Sequence, residues 1–564
     1  MTISERKTVE SPVVDAESAA HTHEVFNQAR PLENYNMFAS DTALSEAVKR
    51  HGGEASLPDL AAYGVRCGSS EVIGWGFDAN EFKPQFDSHD RYGNRADQVR
   101  FHPAYHELMA MGLKQGIHAL PWEGNTRSAN VVRAAYSYMQ TQVEPGHGCP
   151  LTMTFAAVPT IRLTPSVAKE WLPRILARDY QPENKLWQQK SAVTIGMGMT
   201  EKQGGSDVRA NTTRAVAIEG RGPGARYELT GHKWFMSAPM CDAFLVLAQA
   251  EGGLSCFLVP RWRSDETKNA VFVQRLKNKM GNCSNASSEV EFRGAEGWML
   301  GEEGRGVPAI IEMVSLTRFD CMVGSSALQR QAVVQAVHHA RHREAFGKRL
   351  IDQPLMRNVL ADLQLESEAS LAMTMRMAAA LDQPDNHDES LLLRLGLPIG
   401  KYWICKRTPG LTYEAMECLG GNGVIETSIL PRLYREAPVN AIWEGSGNVQ
   451  ALDVMRAMMK SPEAVSCWLA EVEKACGQFA ELDQLIGQIK QRLSKPENLE
   501  FEARILLEEM ALCFQAATLL QYGDSKVAEA YMLSRFQGRH SLYGNLPASI
   551  DVDAILSRAL PEVY

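Results

Sequence analysis

The chain has no C-x-x-C pair, and its eleven cysteines are scattered and odd in number. A disulfide-built scaffold is therefore not expected, and the thiols read as those of a reduced, cytoplasmic protein. A long uncharged run is also missing. The longest stretch without Asp, Glu, Lys or Arg, Pro145 to Ile161, is interrupted by Pro150 and Pro159 and makes a poor membrane span. The first twenty residues carry acids and no apolar centre, so they are not expected to act as a secretory signal. Basic excess is absent too: 58 Lys and Arg face 67 Asp and Glu, a net charge of -9. A bulk electrostatic grip on nucleic acid is not expected, although a local basic patch stays open. His338, His339 and His342 lack a cysteine or acidic partner at ligand spacing, so no metal is assigned. What remains is ordinary globular composition, 45% hydrophobic, 22% charged and 8% aromatic, which excludes disordered, collagen-like and coiled-coil chains. At roughly 150 residues per domain the length allows three to four domains.

Periodicity divides the chain. Residues 1–24 read as a mobile polar arm. From 25 to 190 the text is mostly helical, with Met109, Leu113, Ile117 and Leu120, then Val131, Ala134 and Tyr138, at helical spacing. From 191 to 305 short runs rich in Val, Phe and Leu predict an antiparallel β domain: 227–231, 243–250, 255–259, 271–276 and 289–292. Glu251-Gly252-Gly253 reads as a hairpin turn. Residues 306–455 return to a helical bundle. Residues 456–564 form a helical appendix, with Phe501, Ile505 and Leu512 on one stripe and Leu506, Met510, Cys513 and Ala517 beside it. The fold class is multidomain α+β.

Four segments could carry chemistry. Met199-Thr200-Glu201-Lys202-Gln203-Gly204-Gly205-Ser206-Asp207 offers hydroxyls and paired glycines that let a backbone approach a ligand. Taken alone it reads more readily as a surface turn capped by Ser206 and Asp207. Gly231-His232-Lys233-Trp234-Phe235-Met236-Ser237 sets an aromatic beside a hydroxyl, which suits a flat heterocycle or simply a strand with a buried ring. Arg341-His342-Arg343-Glu344-Ala345-Phe346-Gly347-Lys348 reads as a charged helix end stopped by glycine. Cys418-Leu419-Gly420-Gly421-Asn422-Gly423 precedes Ile442-Trp443-Glu444-Gly445-Ser446-Gly447-Asn448, where one carboxylate sits between Trp443 and Gly445. A carboxylate in apolar surroundings suits a general base; an interhelical loop with a solvated Glu is the plain alternative.

In this order and spacing the four segments resemble the acyl-CoA dehydrogenase family, and the helical–β–helical division resembles its three-domain fold. The resemblance is closest to a branch that carries the C-terminal appendix. It implies FAD, with the isoalloxazine between the β domain and the last helical domain. It places Met197, Met199, Thr200, Ser206, Phe235, Met236 and Ser237 on the cofactor from the β side, and Ile442, Trp443, Gly445, Ser446 and Asn448 from the helical side. Phe235 matches the aromatic beside the flavin and Ser237 the hydroxyl near N5. Arg343 matches an arginine that reaches the cofactor of a neighbouring subunit, which makes a homotetramer part of the expectation. Glu444 matches the catalytic base and Arg318 an arginine near it, on the substrate side. The implied reaction is α,β-dehydrogenation of a short or branched, isovaleryl-like acyl-CoA.

Three positions depart from the family pattern: Lys202 stands where a proline is usual, Pro354 aligns with a glutamine that binds the adenine side of FAD, and Trp443 replaces a tyrosine. The branch is also associated with double-stranded DNA and with protection against DNA alkylation. There Arg456 and Arg535 match arginines given that role, and Arg539 could join them. Residues 456–564 carry eleven basic and fifteen acidic side chains, a net of -4. A basic face must therefore come from folding, and a purely architectural appendix is the alternative.

Overall fold

The computed structural model describes residues 23–124, 127–538 and 541–560. All but the last two residues of the expected N-terminal arm, and Arg539, lie outside them. Seven helices open the chain: α1 (Thr42–Arg50), α2 (Leu57–Cys67), α3 (Ser70–Glu81), α4 (Pro103–Gln115), α5 (Ala129–Val143), α6 (Gly148–Arg162) and α7 (Pro165–Ile175). The Asp41 carboxylate caps α1 through the Leu44 N–H. Helix α4 stops at Gly116, whose φ of +79° is left-handed. Ile117 and Leu120 therefore leave the helical stripe expected for them. A feature not expected from sequence is an antiparallel hairpin inside this helical part, β1 (Gln85–His89) and β2 (Arg95–Arg100).

Seven strands follow: β3 (Ile195–Thr200), β4 (Arg214–Glu219), β5 (Arg226–Ser237), β6 (Ala243–Ala250), β7 (Gly253–Pro260), β8 (Val271–Leu276) and β9 (Ser288–Leu300). They lie in the order β3-β5-β4-β6-β7-β9-β8, and additional β3–β6 and β5–β9 pairings close the sheet on itself. Ala250 pairs with Gly253 across the expected hairpin turn. Strands β5 and β9 are far longer than the runs that announced them. Their apolar alternation continues past His232 and Gly294, polar or glycine positions that a period-2 reading takes as ends.

The 37-residue helix α8 (Gly306–His342) is the spine of the second helical part. With α9 (Pro354–Leu381) and α10 (His387–Glu417) it builds a bundle against which α5 and α6 also pack. Short helices α11 (Leu430–Glu436) and α12 (Val439–Ile442) lead into α13 (Gly447–Lys460), which runs unbroken through the division expected at residue 455. Helices α14 (Pro462–Glu473), α15 (Ala480–Leu493), α16 (Ala503–Tyr522), α17 (Ser525–Arg535) and α18 (Val552–Ala559) complete the chain. Among the described residues no helix is long and apolar enough to cross a membrane. The stripe of Leu506, Met510, Cys513 and Ala517 is the buried face of α16, whereas Phe501 is 95% exposed and Ile505 half-exposed. Phe501 precedes the helix and so never joins the stripe its spacing predicts.

Candidate active site

The β side of the site is built on β3 and β5. Met197 pairs with Ser237, Gly198 with Met236 and Thr200 with Phe235, with a bulge at Met199 that re-aims the strand end. Met197 and Met236 are buried, while the Phe235 ring stays 45% exposed at the edge of the barrel. Lys277 Nζ lies 3.2 Å from the Trp234 ring centre and 4.6 Å from that of Phe235, so cation–π attraction steadies both rings. Gly205 is required beside Thr200, because a Cβ there would stand 2.4 Å from the threonine Oγ1. Ser206 is exposed on the same loop.

Beneath this loop Glu201 and Lys233 form a fully buried ion pair at 2.8 Å. Glu201 also accepts from the N–H groups of Thr212 (2.7 Å) and Thr213 (3.1 Å). Burial works against its charge, but Lys233 and these donors prevail and hold the carboxyl at about 2. The pair ties β3 to β5 and fixes the loop that carries Thr200.

The helical side centres on Glu444, between α12 and α13. Its φ of +56° is left-handed, a conformation that costs a residue with a Cβ about 1–2 kcal/mol. A clamp of side chains offsets that cost. Lys401, buried in α10, donates to the carbonyl oxygens of Trp443 (2.7 Å) and Gly445. Gln450 Nε2 donates to those of Glu444 (3.0 Å) and Gly445 (2.9 Å). Gly445 itself has φ +98°, and a Cβ on it would meet Gln450 Nε2 at 2.5 Å. Trp443 Nε1 donates to Asn440 Oδ1 at 2.9 Å.

The half-buried Glu444 side chain accepts from the Thr317 hydroxyl at 2.7 Å, through Oε2. Arg318, on the next position of α8, reaches the Glu444 carbonyl at 3.4 Å and pairs with Asp453 at 2.5 Å. Arg394 shares that aspartate at 2.9 Å. Cys149, near the start of α6, brings the halves together. Burial pushes its thiol up to about 11, against the pull of the Ser237 hydroxyl and Lys279, while the Glu444 carboxylate pushes it further up. Ser237 of the barrel and Glu444 of the second helical part thus both act on Cys149 of the first, which marks the region between them as one site. An open aromatic face, hydroxyls at Thr200 and Ser237, and a buried Gln450 Oε1 without a partner give it the chemistry to hold a flat heterocycle with polar edges.

The structure thus draws together Met197, Met199, Thr200, Phe235, Met236 and Ser237 on one side, with Trp443, Glu444, Gly445 and Arg318 on the other. Ile442 ends α12, Ser446 stands at the N-cap of α13 and Asn448 lies in its first turn, and all three are exposed. Arg343 stands apart at the end of α8, where it donates to the Asn27 carbonyl at 2.5 Å. Arg456 is exposed on α13. Arg535 faces inward, paired with Asp362 at 2.6 Å and Glu366 at 3.2 Å, so Arg456 and Arg535 do not form a shared basic face. Sequence reasoning missed Thr317, Lys401, Gln450 and Cys149. Lys401 left a readable signal, a lone cation in the apolar run Pro398-Ile399-Gly400-Lys401-Tyr402-Trp403-Ile404. Thr317 lay beside Arg318, but nothing in the sequence singled it out.

Comparison with known proteins agrees with this architecture. Residues 27–182 match the family described as adaptive response protein AidB N-terminal domain. Residues 196–295 match the acyl-CoA dehydrogenase middle domain and 304–459 its C-terminal domain. AidB of Escherichia coli strain K12 is 45% identical over 512 residues, 90% of this chain and 94% of its own. The crystal structure of Caenorhabditis elegans ACDH-11 in complex with C11-CoA superposes with a TM-score of 0.83 at 24% identity, over 99% of this chain and 95% of its own. An acyl-CoA dehydrogenase from Bacillus anthracis complexed with FAD gives a TM-score of 0.65 at 16% identity, over 94% and 92%.

Proposed function

The chain belongs to the acyl-CoA dehydrogenase family, and we propose that it oxidises a short or branched acyl-CoA of the isovaleryl type, with FAD as cofactor and Glu444 as base. The observation that carries this reading is the Glu444 carboxylate, held half-buried by Thr317 and close enough to Cys149, beside Ser237, to push its thiol up. The donor set described above fits FAD: the open Phe235 face, the Thr200 and Ser237 hydroxyls, and the orphaned Gln450 Oε1. Bound there, FAD supplies the acceptor for the hydride that leaves the β-carbon.

The chain's own residues do the rest. Thr317 occupies Oε2 of Glu444, which leaves Oε1 to take the α-proton of the thioester. Arg318, Gln450 and Lys401 hold the loop so that this oxygen keeps its aim. Anaerobic titration of the FAD-loaded protein with a panel of acyl-CoA thioesters tests the assignment. Isovaleryl-CoA or a similar thioester bleaches the flavin, and Glu444→Gln abolishes the bleaching while FAD stays bound. Full flavin occupancy with no bleaching by any thioester would overturn it.

The likeness to AidB supports a second reading, a cytoplasmic homotetramer that associates with double-stranded DNA in an alkylation response. Its support on this chain is the exposed Arg456; Arg535 is engaged internally. DNA affinity that falls steeply with salt and drops in Arg456→Ala is its expected signature.

A further inference from the structure

A cavity of about 150 Å³ lies where the chain leaving α3 meets the β8–β9 loop, lined by Lys83, Lys277, Lys279, Asn278, Cys283 and Asn285 among others. This far exceeds the ~10–15 Å³ that a single water needs on the same measure. It adjoins the candidate active site, since Lys279 and Asn285 both act on Cys149, but it contains none of the residues given a part in the reaction proposed above. Three ammonium groups converge on it. Lys277 gives one N–H to Glu289 at 2.7 Å, and Lys279 gives one to the Asn285 carbonyl at 2.7 Å. Each keeps further N–H groups to offer. Lys83 is exposed at the mouth.

Asn285, 1% exposed, also lines it; its Oδ1 has no partner, and its Nδ2 has only the Cys149 thiol. A buried amide oxygen without a donor, beside an amide N–H that meets only a weakly accepting thiol, is unfavourable unless something enters to meet them. Glu289 pairs with Lys277 at 2.7 Å and offsets one of the three charges, while burial pushes Glu436, which faces Lys279, up to about 8. No arginine lines the cavity, so the planar fork that favours carboxylates is absent. Point-charge ammonium donors with an amide N–H suit a tetrahedral oxyanion.

We propose that this pocket binds a phosphoryl group, held by Lys83, Lys277, Lys279 and the Asn285 amide. Because Lys277 also covers Trp234 and Phe235, occupancy is transmitted to the aromatic edge of the candidate active site as a change in Trp234 environment.

Calorimetric titration of the full chain, as purified and after FAD loading, with inorganic phosphate, ADP or coenzyme A at constant ionic strength tests this. Saturable binding is expected with at least one probe, both with and without FAD, and accompanied by a change in tryptophan fluorescence. Lys83→Met and Lys279→Met should each weaken it about tenfold. Lys83 is exposed, so its variant keeps the test open if Lys279→Met fails to fold. Tighter binding of ADP or coenzyme A than of phosphate identifies a nucleotide-borne group, and equal binding identifies the free anion. Absence of saturable binding by all three at tens of millimolar, unchanged affinity in Lys83→Met, or loss of binding on FAD loading overturns the proposal.

Discussion

Glu444 occupies a backbone conformation that its side chain disfavours, and it is kept there by donors on its own carbonyl and on those of its two neighbours. Strain held at a reacting group is maintained only when its surroundings over-determine it. Lys401 is the strongest part of that clamp, since it is buried and serves both neighbours of Glu444. Lys401→Met keeps the apolar stem and removes the donors. The expected result is a loss of about 2–4 kcal/mol of stability, from two charge-assisted hydrogen bonds. Turnover should fall by about tenfold or more while KM changes little, because a base misplaced by a fraction of an ångström still permits binding. Steady-state kinetics with the best thioester from the titration, alongside thermal unfolding, decides the matter. Full turnover in this variant would show that Gln450 and Arg318 hold the loop unaided.

Between elements, the Glu201–Lys233 pair fastens β3 to β5 where the loop bearing Thr200 and Ser206 departs. Lys233→Met leaves a buried carboxylate without its cation, which costs about 3–5 kcal/mol. It should lower the unfolding temperature and weaken FAD retention, read by flavin released on ultrafiltration. Undiminished retention would show that the loop is shaped by Thr212 and Thr213 alone. These elements were partly legible in sequence. Ala243–Ala250 and Val271–Leu276 match their strands because their apolar runs end at turn residues. The Met197–Thr200 and Trp443–Gly445 segments were legible because glycine and hydroxyl patterns mark them. The β1–β2 hairpin was not, since its strands carry Asp87, Arg95, Asp97 and Arg100 and show no apolar alternation. Nor was the inward turn of Arg535, which depends on Asp362 and Glu366 arriving from α9, some 170 residues away in the chain. Charge counting cannot see such partners, so an appendix arginine reads alike whether it meets solvent or a carboxylate.

Across the whole molecule, the two helical parts and the barrel meet at a seam of buried charge. Glu144, between α5 and α6, accepts from the N–H groups of Gly146 and His147 and from the His147 ring, all at 2.9 Å. Arg432 of α11 reaches back to the carbonyls of Gly76 and Val143. Glu436, one turn on, accepts from the N–H of Asn282 in the β8–β9 loop at 2.7 Å. Burial, and then the charge of Glu144, push Glu436 up to about 8, against Asn282, Arg432 and Lys279. An acid whose folded value lies above its unfolded one binds its proton more tightly when folded. Its stabilising contribution is complete below about 4.5, the unfolded value, and is lost as pH rises through about 8. Glu436→Gln keeps an acceptor for Asn282 and cannot ionise. Measured as the difference between native protein and variant, stability should fall by several kcal/mol from about pH 5 to 8, an order-of-magnitude figure from the size of the shift. Asp382, pushed up to about 6, and His51, pushed down to about 4, are present in both proteins and cancel in that difference. Denaturant unfolding at a series of pH values checks it. A difference that stays flat across this window would mean that Glu436 is ionised in the folded protein, and that the seam carries a net negative charge at neutral pH.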